Sequence, residues 1–164
     1  PHCFNTLKHE YPQFEGGRFQ VVHHSELIAE LVGTGRVPPV AGTREGAVAF
    51  HDPCYLGRYN GILEAPRAVI ANATGAAPLE FPFRGERSMC CGAGGGRMWM
   101  DEDAGTRINV KRVRQVLEQQ PRVIATACPY CKTMMADGIA QLGKAEEIQA
   151  RDIAELVAAG LDGT

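Results

Sequence analysis

The chain has 164 residues, 45% of them hydrophobic, and a formal net charge of −2, which suits one compact globular domain with a small appendage and excludes a disordered or collagen-like chain. Lys and Arg are scattered and the aromatics are not interleaved with base-reading groups, so no basic stripe exists to neutralise a row of phosphates, and nucleic acid is excluded as a partner. No uninterrupted apolar run approaches the roughly 20 residues that a bilayer span needs, and the start lacks the basic, apolar and small-residue regions of a signal peptide, so the chain is expected to be soluble and to make no membrane contact itself.

The chain opens without Met on PHCFNTL (1–7), which is echoed by PYCKTMM (129–135); IAELV at 28–32 recurs at 153–157, at nearly the same offset. Paired echoes of this kind indicate an internal duplication. Residues 1–34 are read as the tail of a first repeat cut at its start, 35–46 (GRVPPVAGTREG) as a Pro/Gly-rich linker, and 47–164 as a nearly whole second repeat. Cys3 then corresponds to Cys131, and the counterpart of Cys128 falls upstream of Pro1. His23 and His24 precede Ser25 as a helix cap and are assigned to the first repeat's strand end.

In the second repeat AVAF (47–50) predicts a buried strand, followed by HDPCYLGRYNG (51–61) as a loop. EAPRAVIANAT (64–74) predicts a helix with Pro66 in its first turn, and PLEFPF (78–83) a short strand. Next comes MCCGAGGGRMWMDE (89–102). RINVKRVRQVLEQQ (107–120) sets Ile108, Val110, Val113, Val116 and Leu117 mostly on one helical stripe, stopped by Pro121. RVIATA (122–127) reads as a strand, PYCKTMMADGIAQL (129–142) as a helix started by Pro129, EEIQA (146–150) as a weak strand, and RDIAELVAAG (151–160) as a closing helix ended by Gly160. Strands separated by helices give an α/β fold with a mostly parallel sheet flanked by helices. Loops beyond the strands' carboxyl ends collect the chemistry in such folds.

Cys54 follows the first strand, Cys90 and Cys91 the second, and Cys128 and Cys131 the third. Five thiols from three loops should therefore meet at one sheet edge. Buried inert cysteines account for one or two of them, but not for a CC pair and a CxxC pair each at a strand end. A disulfide framework is disfavoured, because adjacent cysteines bridge each other poorly and a chain of this size has its own core. Metal or redox chemistry is left. Structural zinc and an ordinary cubane cluster each take four ligands, so the fifth thiol points to an unusual cluster or to a thiol held beside one.

HDPCYLGR, then CCGAGGG with 35 residues between Cys54 and Cys90, then CPYC with 36 residues between Cys91 and Cys128, resembles the cysteine-rich CCG domain of the heterodisulfide reductase catalytic-subunit family. The wording of HDPCYLGRYNG and CCGAGGGRMWMDE is most similar to the membrane-bound iron-sulfur oxidoreductases associated with electron-transfer flavoprotein, and tandem duplication is a habit of the family. The resemblance covers residues 51–131. It implies a Rossmann-like fold and a non-cubane [4Fe-4S] cluster, or a related iron-sulfur centre, held by Cys54, Cys90, Cys91, Cys128 and Cys131 and absent in some preparations of an isolated fragment. It further implies electron transfer from an electron-transfer flavoprotein or similar donor towards a quinone, or disulfide reduction. The implied parent is cytoplasmic, attached to the cytoplasmic face of the membrane, with the remaining domains of the oxidoreductase as partners. The truncated first repeat, with Cys3 alone, cannot form a site of its own.

In that setting Gly92, Gly94, Gly95 and Gly96 let the backbone approach a cluster and turn N–H groups towards its sulfurs. Met98, Trp99 and Met100 form either an apolar wall against water or ordinary core. His51 and Asp52 position the Cys54 loop, with His51 a secondary ligand candidate. Arg97 is either a counter-charge to an anionic cluster or a surface residue, and Asp101, Glu102 and Asp103 suit the N-terminal side of a helix. The glycine run lacks the Gly-Lys-Ser/Thr ending of a P-loop. Two alternatives remain open: a zinc-binding structural or assembly domain, and a thiol-disulfide module using Cys128 and Cys131.

Overall fold

The structure, a computed structural model, describes residues 1–39, 46–101 and 105–161. Its centre is a four-stranded, all-parallel sheet of β1 (Val48–His51), β2 (Leu79–Glu80), β3 (Val123–Thr126) and β4 (Gln149–Asp152) in the spatial order β2-β1-β3-β4. Val48 pairs with Val123 and His51 with Thr126, so the two central strands end level. Every residue of β1 and β3 is buried, as expected for parallel strands covered on both faces.

The alternation of side chains along a strand divides the core in two. Val48, Phe50, Val123 and Ala125 face one layer, built on α4 (Glu64–Thr74) and α7 (Ile153–Leu161), with Ile28 and Ala29 of α2 (His24–Gly33) packed against it. Ala49 and Ile124 face the other, where α5 (Ile108–Arg114) and α6 (Pro129–Gln141) supply Val113, Met134, Met135 and Ile139. α5 and α6 approach closely at Gly138, where an added Cβ would lie 3.0 Å from the Asn109 carbonyl oxygen. Cys91, Cys128 and Cys131 sit in this second core.

Several expectations shift. The strand predicted over 78–83 is only Leu79–Glu80, since Pro82 has no N–H to continue the ladder. The helix predicted over 107–120 ends at Arg114, and a separate 3-10 turn spans Leu117–Gln119; Gln120 turns left-handed at φ 49 ahead of Pro121, which disfavours helix in the residue before it. The last strand lies further along than 146–150. Asp152 accepts from the Ala154 N–H at 3.0 Å, and its own N–H reaches Glu155 at 2.7 Å; this reciprocal cap starts α7 at Ile153. Gly160 is buried inside α7 and does not end it.

In the first 34 residues α1 (His2–His9) starts at the PHC echo. His23 and His24 are in no strand. His23 itself caps α2, its Nδ1 accepting from the Ser25 N–H at 3.3 Å while its N–H donates to Glu26 at 3.1 Å, so His24 is helical and Ser25 is not the cap. Of the expected linker, residues 40–45 lie outside the described residues, as do Glu102 and Asp103; Asp101 is exposed and non-helical. No helix among the described residues is long and apolar enough to cross a membrane.

Candidate metal centre

The sheet delivers the thiols. β1 runs out through His51, Asp52 and Pro53 into α3 (Cys54–Asn60), a helix where a loop was expected, closed by left-handed Gly61 at φ 66. β3 runs out into Cys128, which occupies the N-cap of α6, and Cys131 lies in that helix's first turn. The CC pair arrives on the segment after β2. Cys54, Cys90, Cys91, Cys128 and Cys131 all line one cavity of about 500 Å³. Cys3 is exposed and is not among the lining residues.

Gly94, Gly95 and Gly96 line the same cavity, the last two with left-handed backbone at φ 65 and 75. Gly92 plays a different part. Its φ of 93 and a would-be Cβ 3.1 Å from the Ile108 side chain leave no space for a larger residue, and its N–H reaches Cys90 Sγ at 3.2 Å. Met98 and Trp99 line the mouth, yet Trp99 is 82% exposed and Met100 59% exposed, so neither Trp99 nor Met100 belongs to the core. Around the rim Tyr55 and Tyr59 stack at 4.8 Å, and His2 lies 4.3 Å from Tyr55 and 5.0 Å from Tyr130.

The thiols share charge unequally. Cys91 is held strongly towards thiolate by hydrogen bonds from Cys131 and Cys90, then from His51 and the Ala93 N–H, against the cost of burial. Cys90 and Cys131 are pushed up by donating within the cluster and by burial. Cys54 rises through burial and the nearby negative charge of Cys91. Cys128 is lowered to about 7 by its hydrogen bond with Cys131, helped by the Cys131 and Tyr130 backbone N–H groups at the start of α6. The result is one strongly stabilised thiolate at Cys91, a Cys128 sulfur that ionises near neutral pH, and Cys54, Cys90 and Cys131 held protonated, a donor set suited to soft metals.

A polar frame behind the sulfurs was only partly anticipated. Asp52 is buried and accepts both guanidinium NH groups of Arg67 at 2.8 and 3.0 Å and the Gly85 N–H at 2.8 Å. Arg67 also grips Glu80 at 2.7 and 2.9 Å. Asp52 thus ties α4 and β2 to the Cys54 turn, in keeping with its expected positioning role. Arg112, which the sequence did not single out, is fully buried and lies 4.0 Å over the Phe81 ring. It donates to His51 Nδ1 at 3.0 Å, Phe83 O at 2.8 Å and Ser88 Oγ at 3.2 Å; burial lowers its pKa to about 10, which leaves it charged at neutral pH. Nothing in the sequence separated it from the neighbouring cations Lys111 and Arg114. Arg97 is exposed and outside the cavity lining, whereas Arg58 lines it, held by the Ser88 carbonyl at 2.6 Å. A His51 ring nitrogen and the sulfurs of Cys91 and Cys131 lie within 4.8 Å of one another.

Comparison with known proteins matches residues 48–136 to the cysteine-rich domain family CCG. The chain is 44% identical over 163 residues to a probable iron-sulfur-binding oxidoreductase, FadF, of Bacillus subtilis, covering 99% of this chain and 23% of the relative. It is 40% identical to an EtfAB:quinone oxidoreductase of Syntrophomonas wolfei, covering 96% of this chain and 22% of the relative. It is 34% identical to a component of the dihydromethanophenazine:CoB--CoM heterodisulfide reductase of Methanosarcina barkeri, covering 97% of this chain and 39% of the relative. The chain therefore spans well under half the length of these relatives.

Proposed function

The chain belongs to the CCG cysteine-rich domain family, and from that premise we propose that Cys54, Cys90, Cys91, Cys128 and Cys131 hold an iron-sulfur cluster in an electron-transfer domain of a larger oxidoreductase. The observation that carries the proposal is the convergence of all five thiols on one cavity at the carboxyl edge of a parallel sheet. The residues fit such a group: the donors are sulfur, one thiolate is already stabilised, and backbone N–H groups of Gly92 and Ala93 reach the CC pair. When bound, the cluster supplies one-electron carriage. The protein's part is to fix the five sulfurs, set hydrogen bonds on them and place Arg112 and Arg58 nearby as positive charge, the levers that tune potential.

The fifth thiol favours a non-cubane [4Fe-4S] or related centre over an ordinary cubane. The name of the EtfAB:quinone oxidoreductase supports a parent that takes electrons from an electron-transfer flavoprotein or similar donor and passes them towards quinone, with its remaining domains as partners; the parent's place on the cytoplasmic face of a membrane rests on the family resemblance alone. Residues 1–34 are then the tail of a first repeat, joined by 35–46 to a second at 47–164. Anaerobic reconstitution followed by iron, sulfide and EPR measurement tests the cluster. Stoichiometric zinc without iron or sulfide would overturn it in favour of a structural zinc site.

A further inference from the structure

We infer that His51 meets the thiol cluster as a hydrogen-bond donor with its proton on Nε2, fixed in that tautomer by Arg112, and that it is not a metal ligand. Arg112 Nε donates to His51 Nδ1 at 3.0 Å. A guanidinium N–H can only donate, so Nδ1 presents a lone pair and carries no proton. The ring's proton therefore resides on Nε2. A histidine that ligates through one nitrogen ordinarily donates the other N–H to a carboxylate, carbonyl or water. Here the other nitrogen faces a donor, and ligation through Nε2 would demand an imidazolate.

The arrangement is rigid. Arg112 is anchored by Phe83 O and Gln115 Oε1, both at 2.8 Å, by Ser88 Oγ at 3.2 Å, and by the Phe81 ring. Turning the imidazole over would set a C–H against the guanidinium and lose the bond. Both residues are buried, so no water can substitute for either partner. The Cys91 and Cys131 sulfurs lie within 4.8 Å of a ring nitrogen; with Nδ1 taken up by Arg112, the Nε2–H is the donor left for the sulfurs, and Arg112 is a positioning residue that acts through His51. The redox consequence rests on the iron-sulfur reading: a donor to a ligand sulfur favours the more negative, reduced state and raises the potential. The tautomer does not depend on that reading.

Long-range proton-nitrogen correlation NMR on the metal-free, 15N-histidine-labelled chain is expected to place the His51 proton on Nε2, and a proton on Nδ1 overturns the inference. His51→Asn keeps an oxygen able to accept from Arg112 but has no proton at the Nε2 position. After anaerobic reconstitution it should retain iron and sulfide with a midpoint potential shifted downwards, and His51→Gln, whose amide reaches the Nε2 position, should recover part of the shift. Loss of metal in His51→Asn, or a nitrogen hyperfine coupling of directly coordinated size in the native reconstituted chain, also overturns it. If the native chain binds no iron, the iron-sulfur reading fails alone, and the NMR result still decides the tautomer.

Discussion

Cys91 is the residue on which the site turns, since it is the sulfur that accepts from Cys131, Cys90, His51 and the Ala93 N–H. Cys91→Ser should abolish most iron and sulfide uptake on reconstitution. Cys3→Ser should leave both unchanged, because Cys3 is exposed and lines no part of the cavity; comparable losses in the two variants would show that Cys3 reaches the site. His23 permits a pH prediction. Burial, with His24 and the N-terminal charge nearby, lowers its pKa to about 3, against about 6.5 in an unfolded chain. Below about pH 6.5 the unfolded chain takes up a proton that the folded one refuses. This contribution to stability is therefore complete above about pH 6.5 and is lost towards acid pH, at up to about 1.4 kcal/mol per pH unit. Between about pH 7 and about pH 5 the urea midpoint should fall further in the native chain than in His23→Asn, which retains a capping oxygen without titrating; equal acid sensitivity would refute the assignment.

At the scale of elements, the junction of α5 and α6 is where packing outweighs propensity. Alanine favours a helix over glycine by about 1 kcal/mol, and Gly138 lies within α6. Yet the added Cβ would stand 3.0 Å from both the Asn109 carbonyl oxygen and Val113 Cγ2, and overpacking of this kind costs about 1–3 kcal/mol. Gly138→Ala is expected to lower stability by about 1 kcal/mol net, read as a lower urea midpoint; a higher midpoint would mean that α5 yields freely. The consequence extends to the site, since α6 carries Cys131 and α5 carries Arg112. The same elements mark what was legible. The helix over Glu64–Thr74 matched its expected bounds because its apolar period and Pro66 are local signals. The start of α7 was misplaced because the cap formed by Asp152 and Glu155, although local, sits within a stretch whose strand propensity is weak.

For the whole molecule, the proposed role separates electron carriage from recognition of the donor. In the full-length protein, Cys90→Ser or Cys91→Ser is expected to abolish quinone reduction while leaving association with the donor flavoprotein intact, measured by steady-state assay and by binding in solution. Quinone reduction at the normal rate after spectroscopic loss of the cluster would make the domain structural. The described parts of the first 34 residues belong to the same body as the rest, since α2 packs on α4 and α7 and Pro1 and His2 line the cavity. Alterations there should therefore be felt at the site without touching a cysteine.

The parallel α/β order and the family were legible in the sequence alone, because periodicity and proline and glycine punctuation are local and the cysteine motifs are read directly from their spacing; the CC pair, expected at a strand end, instead sits well beyond β2, past the 3-10 turn of Gly85–Arg87. Only the tertiary structure decided the frame around the thiols. Arg112 looks like one more cation on a basic helix, and becomes a fully buried donor to His51 because α5 lies against β1 and the segment between Phe81 and Ser88. Arg67 joins Asp52 to Glu80 across a fold that brings three distant segments together. Trp99 and Met100, apolar enough for a core, stand in solvent because the left-handed glycines before them carry the chain along the cavity rim. Spacing can announce which atoms are available for chemistry, but burial and the direction of a hydrogen bond depend on partners remote in sequence, and those are set only when the layers close.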